Sequence, residues 1–84
     1  MQVTFKLFAT LSAHLPPEAR RLGQASVDTP PGTTVLDLVE RYRVPPGQCT
    51  LVLVNGAFVR PGDMGGRVLQ EGDVLAIWPP VGGG

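Results

Sequence analysis

Val3, Phe5 and Leu7 alternate with Gln2, Thr4 and Lys6, the period-two pattern of a strand that turns one face to a core. Ala9 to Leu22 has no clean period, contains Pro16-Pro17 and carries Glu18, Arg20 and Arg21, so it reads as an exposed connection with one helical turn at most. Gln24 to Asp28 forms a weak second strand, stopped by the turn residues Asp28-Thr29-Pro30-Pro31-Gly32. Thr33 or Thr34 then caps a helix on which Val35, Leu38, Val39 and Tyr42 stand at i, i+3, i+4 and i+7. Asp37 and Arg41 sit four apart on its other face, an arrangement that contributes about 0.2 to 0.5 kcal/mol as a surface pair. Pro45 disfavours α geometry at Val44, which sets the helix end at about Arg43.

Thr50 to Val54 is a continuous apolar run, and Asn55-Gly56 joins it to Ala57-Phe58-Val59 as a hairpin. Arg60 to Gly66 is rich in glycine and proline and reads as loop. After Arg67-Val68-Leu69, the turn Glu71-Gly72-Asp73 opens a last strand, Val74 to Trp78, which Pro79 ends by removing a backbone donor. The order strand, strand, helix, strand, short strand, strand predicts an α+β domain: a mixed sheet with one face covered by one main helix. A β-grasp roll and a ferredoxin-like sandwich both fit this order, but the second needs another helix for which no pattern exists. Leu75 and Ile77 should face the helix, which sends Val74, Ala76 and Trp78 outward, with Phe8 on the same outward side. These aromatics, Phe8 and Trp78, are candidate partner-interface residues.

Composition narrows the function. The 84 residues are 43% hydrophobic and 17% charged, in the range of one folded domain. Seven Lys and Arg balance seven Asp and Glu, so no general pull toward nucleic acid or an anionic membrane exists. No segment is long and apolar enough to span a bilayer and the N-terminus lacks the layout of a signal peptide, so the expected location is the cytoplasm. Cys49 is the only cysteine, which rules out an internal disulfide and a cysteine-built zinc site.

Side-chain catalysis has little to work with. His14, the only histidine, lies in the irregular connection, and Cys49 has no basic neighbour in sequence to activate it. Asp28, Asp37, Glu40, Asp63, Glu71 and Asp73 occupy turns or the polar face of the helix, and Gly62 to Gly66 lacks the Lys-Ser/Thr ending of a phosphate loop. The tail is different: Pro79-Pro80 forms a stiff stem and Val81-Gly82-Gly83-Gly84 a slender end. Six extended residues reach roughly 20 Å, and a narrow channel can close on glycine backbone because glycine has no Cβ. The terminal carboxylate, with a reference pKa of about 3.3 to 3.7, is ionised at neutral pH and can attack an activated phosphate. Coupling it to AMP creates a leaving group that sulfide can displace, which leaves a thiocarboxylate.

The chain resembles the ubiquitin-like sulfur carriers, most closely the small subunit of molybdopterin synthase. The resemblance rests on Lys6-Leu7-Phe8-Ala9, Pro31-Gly32-Thr33-Thr34-Val35, Val54-Asn55-Gly56, Leu69 followed by Glu71-Gly72-Asp73, and Trp78-Pro79-Pro80-Val81 ahead of Gly83-Gly84. It implies a β-grasp (ubiquitin-like) domain over residues 1–78 and a flexible carrier tail over 79–84. It also implies adenylation of Gly84 by a ubiquitin-activating-type enzyme that uses ATP, and delivery of sulfur as the Gly84 thiocarboxylate. No cofactor is then bound by the chain, which is not catalytic alone; the large subunit of molybdopterin synthase takes up the tail and supplies the catalytic side chains. Pro79, Pro80, Val81, Gly82 and Gly83 are the implied tail-binding residues. Two departures keep other pathways open. Many relatives end in Pro-Pro-Val-Ala-Gly-Gly, whereas Val81-Gly82-Gly83-Gly84 looks like the thiamine carrier ending, and the Arg60 to Gly66 loop is atypical. A carrier for thiamine or cysteine synthesis, or a ubiquitin-like binding or conjugating module without sulfur transfer, therefore remains the alternative.

Overall fold

In the computed structural model, which describes residues 1–80, five strands form one mixed sheet in the order β2-β1-β5-β3-β4. β1 (Gln2–Leu7) pairs antiparallel with β2 (Gln24–Asp28) and parallel with β5 (Val74–Trp78). β3 (Leu51–Val54) pairs antiparallel with both β5 and β4 (Ala57–Phe58). The single α-helix, α1 (Val35–Arg41), supplies Val35, Leu38 and Val39 to a core shared with Val3, Phe5, Leu7, Val52, Val54, Leu75 and Ile77. This is the β-grasp arrangement, with Leu75 and Ile77 facing inward as the alternation requires.

The hairpin between β3 and β4 turns at Asn55 (φ 52°) and Gly56 (φ 83°), the pair of positive values that a tight two-residue turn demands. Asn55 does more than turn. Its Nδ2 donates to Asp73 Oδ1 at 2.8 Å, its Oδ1 accepts from the Val74 amide at 2.8 Å, and Asp73 Oδ2 accepts from the Gln70 amide at 2.8 Å. The β3–β4 turn is thereby fastened to the turn that launches β5.

Three local expectations are corrected. First, α1 ends at Arg41 rather than about Arg43: Arg43 takes φ 59°, and the Val44 amide turns back to donate to the Val39 carbonyl at 3.0 Å. That left-handed step delivers Val44 into the core, so the stop precedes the one the proline sets. Secondly, Asp37 and Arg41 do not pair. Asp37 closes a capping box with Thr34, accepting from the Thr34 amide at 3.0 Å while its own amide donates to Thr34 Oγ1 at 3.1 Å. Arg41 instead reaches the Asp28 carbonyl at 2.9 Å.

Thirdly, the connection after β1 is not simply exposed: it folds into two 3₁₀ turns, Ala9–His14 and Pro17–Ala19, and buries Leu11, Leu15 and Ala19. Those three join the core cluster from two turns and the extended residue between them. The Arg60 to Gly66 loop contains a further 3₁₀ turn, Pro61–Asp63, and plugs Met64 into the core. Backbone from this loop and from Arg67 just beyond it also completes the start of α1. The Val35 and Leu36 amides, which have no partner within the helix, donate to the carbonyls of Arg67 (2.9 Å) and Met64 (3.1 Å).

Candidate carrier terminus and docking face

β5 lies between β1 and β3, so the chain leaves the domain from the middle of the sheet. At its end the Trp78 carbonyl accepts from the Thr50 amide at 3.0 Å, while the Ile77 carbonyl accepts from the Phe8 amide at 3.1 Å. The root of the tail is therefore bonded on both sides. Pro79 follows half-buried and Pro80 exposed. Val81, Gly82, Gly83 and Gly84, the remaining tail positions, lie outside the described residues.

Beside this root, Phe8 and Trp78 stack face to face, with ring centroids 4.1 Å apart and planes 4° from parallel. Parallel pairing of β1 with β5 brings them together: Leu7 opposes Ile77, so the next residue of each strand projects from the outer face at the same level. Both are half-buried, each largely covering the other.

The same outer face holds residues that the apolar run in β3 concealed. Val52 and Val54 point inward, which leaves Leu51 and Leu53 outward, opposite Trp78 and Ala76. Phe58, 57% exposed, lies opposite Leu53, and Leu51 is 38% exposed. Phe8, Trp78, Leu51, Leu53 and Phe58 thus form an apolar band across β1, β5, β3 and β4. Position parity in β3 was the signal for it, but a run apolar at every position gives no contrast between faces.

Three of the remaining polar candidates have structural partners. Glu71 accepts from the Gln2 amide at 3.1 and 3.2 Å, Asp28 faces the N-terminal ammonium at 3.4 Å, and Asp63 pairs with Arg60 at 3.0 Å. Glu40 is exposed on α1 and His14 is half-buried at the end of the first 3₁₀ turn. Cys49 is buried with its Sγ 3.7 Å from the Pro45 carbonyl, and burial pushes its thiol pKa up, away from the reactive thiolate. Among the described residues, no cluster of His, Cys, Asp or Glu could hold a metal ion, and no helix is long and apolar enough to cross a membrane.

A mixed five-strand sheet packed on one main helix, with the last strand at its centre, defines a ubiquitin-like β-grasp domain. The sequence pattern of the ThiS family matches residues 7–84, and the chain belongs to that family. Among solved structures it is similar to SAMP1 from Haloferax volcanii, with 28% identity, a TM-score of 0.67 and complete coverage of both chains. It is also similar to a Pyrococcus furiosus protein provisionally named molybdopterin converting factor, subunit 1, with 24% identity, a TM-score of 0.62, and coverage of 95% of this chain and 98% of that one. No curated protein sequence matches the chain. Membership carries with it the general scheme of a ubiquitin-like sulfur carrier served by an adenylating enzyme and a catalytic partner.

Proposed function

We propose that the chain carries sulfur on Gly84 for the synthesis of molybdopterin. Residues 1–78 act as the domain and 79–84 as the carrier tail. An oxygen of the Gly84 carboxylate attacks the α-phosphorus of ATP held by the activating enzyme, and pyrophosphate leaves. Sulfide then attacks the acyl carbon, the bond to AMP breaks, and a thiocarboxylate remains. The tail next enters the large subunit of molybdopterin synthase, which supplies the catalytic side chains and consumes the sulfur.

The observation that carries this reading is the passage from β5 straight into Pro79-Pro80 beside the Phe8–Trp78 stack and the apolar band. A rigid root next to a dockable face suits a chain whose end must be offered at a fixed distance from a partner. The Pro-Pro stem favours the molybdopterin pathway over the thiamine one. A cytoplasmic location accords with enzymes of this kind.

The test is intact-mass analysis after incubation with the source organism's adenylating enzyme, ATP and sulfide. One terminal oxygen should be replaced by sulfur, and the product should restore dithiolene formation by the large subunit. Gly83→Val should suppress adenylation with no change in melting temperature, because a β-branched residue restricts backbone and adds bulk where a channel accepts main chain only. Gly82→Ala should be milder. Equal adenylation of all three proteins at equal stability would overturn the carrier reading; thiocarboxylate that supports thiazole formation but not dithiolene formation would overturn only the pathway.

A further inference from the structure

The chain has no net charge, yet its charges cluster locally at the ends of the strands. At the end where β1 begins and β5 starts, Asp28 faces the N-terminus, Glu71 is bonded to Gln2, and Asp73 ties Asn55 to Gln70. At the opposite end, where β1 and β5 finish and the tail departs, a groove of 330 Å³ is lined by Lys6, Arg20 and Arg21 together with Phe8, Ser12 and Leu22. Three cations line it and no acid does. Glu18, the nearest acid in sequence, sits on the neighbouring 3₁₀ turn outside the lining.

The groove is built rather than incidental. Gly23 holds φ 72° and donates to the Ala19 carbonyl at 3.0 Å, while the Leu7 amide donates to the Gly23 carbonyl at 3.0 Å; together these fold the segment back against the end of β1. Arg20 is steadied by a 2.9 Å bond from its Nε to the Leu15 carbonyl, which leaves its terminal guanidinium nitrogens free of that bond. Arg21 is exposed, and Leu22 is 78% exposed, an apolar side chain beside the cations.

We propose that this groove docks an acidic segment, with an apolar residue among its carboxylates, on the enzyme that activates the C-terminus. The proposal rests on the carrier reading above and deepens it by giving the partner's chemistry. Reach excludes the nucleotide itself: an extended stretch of four residues beyond Pro80 spans about 13 to 14 Å, so phosphates meeting the terminal carboxylate lie well away from the root. What lies next to the root is the rim of the partner's channel. Charge count disfavours a polynucleotide, since strongly salt-dependent binding of the backbone draws on about 6 to 10 phosphate contacts and this groove offers three cations. The exposed Leu22 and the Phe8 ring supply apolar contact that a free anion cannot use.

The test measures adenylation while the concentration of the full-length carrier is varied, for the unmodified chain, the single variant Arg21→Glu and the double variant Lys6→Glu/Arg21→Glu. In low salt of about 0.01 M, where the Debye length is ~30 Å, the double variant should show a KM raised by about tenfold or more with kcat nearly unchanged. Raising salt to about 1 M should bring the unmodified chain's KM up toward that of the variants. Arg21 is exposed and makes no hydrogen bond or ion pair through its side chain among the described residues, so its single variant tests the groove even if the change at Lys6 disturbs β1. Equal KM for folded variants and unmodified chain in low salt overturns the proposal while leaving the carrier reading intact. If the unmodified chain is not adenylated at all, both fall. Competition by inorganic phosphate at millimolar concentration, or tighter binding to polyuridylate than to the enzyme, would assign the groove to those anions and likewise overturn it.

Discussion

Replacing Phe8 and Trp78 by alanine, singly and together, tests whether their stack belongs to the folded domain or to the interface. The rings lie 4.1 Å apart and nearly parallel, and both are half-buried. Full truncation of a core phenylalanine costs about 3 to 5 kcal/mol, so a half-buried one should lose about 2 kcal/mol. Aromatic pairs contribute about 0.5 to 1.5 kcal/mol beyond the area they bury. The double variant should therefore be less destabilised than the sum of the singles by about that amount. For a domain of this size, 2 kcal/mol lowers the melting temperature by roughly 8 to 16 °C. Urea titrations of the four proteins measure the coupling, and adenylation by the partner enzyme, assayed well below each melting point, measures the interface. A loss this large would mark Phe8 as peripheral core, whereas a small loss with weakened adenylation would mark it as an interface residue. Additivity of the two single variants within about 0.3 kcal/mol would refute the argument, because rings in productive contact must couple.

Two further outcomes follow from the fold. Asn55→Ala should cost about 2 to 4 kcal/mol in urea unfolding and Asn55→Gly less, by about 1 to 2 kcal/mol: both lose the bonds to Asp73 and Val74, but only alanine must also hold positive φ, and equal losses would remove φ from the account. Cys49 is raised above its ordinary pKa by burial, so its unfolded thiol ionises first, at about 8.5, and its contribution to stability, steady below that pH, is lost as pH rises toward the folded value. The stability advantage of the unmodified protein over Cys49→Ala should accordingly shrink between about pH 8 and 10, and an advantage that grew over that range would contradict the assigned cause.

Most of the fold was legible because its signals are local. Alternation in β1, the stripe of Val35, Leu38 and Val39, and the Asn55-Gly56 turn each state a period or a φ requirement that tertiary context then reinforces. What was not legible depended on partners distant in sequence. Asp37 offered two roles, and the nearby Thr34 amide won over Arg41, which had its own acceptor 13 residues away at Asp28. The Arg60 to Gly66 loop looked like filler, yet its Met64 carbonyl, with that of Arg67 just beyond it, finishes the first turn of α1, a task that composition does not encode. Leu11, Leu15 and Ala19 were obscured by prolines between them. Of the candidate site, the sequence placed Phe8 and Trp78 on one side, but the outward half of β3 was hidden in a run apolar at both parities.

The position of β5 explains why a carrier can work by its terminus without losing its fold. A tail drawn into a partner's channel exerts force on its own root. Were the last strand at an edge, that force would act on one ladder of hydrogen bonds and could peel the strand from the sheet residue by residue. Here β5 is held by β1 on one side and β3 on the other, and its inward residues Leu75 and Ile77 are fully buried. Displacing it requires breaking two ladders and opening the core together, so the strain stops at Trp78. The Phe8–Trp78 stack lies at that boundary, coupling the first strand to the last residue before the prolines. On the proposed carrier reading, tail insertion and global stability are thereby separated, because the ladders and core contacts that hold β5 end at Trp78.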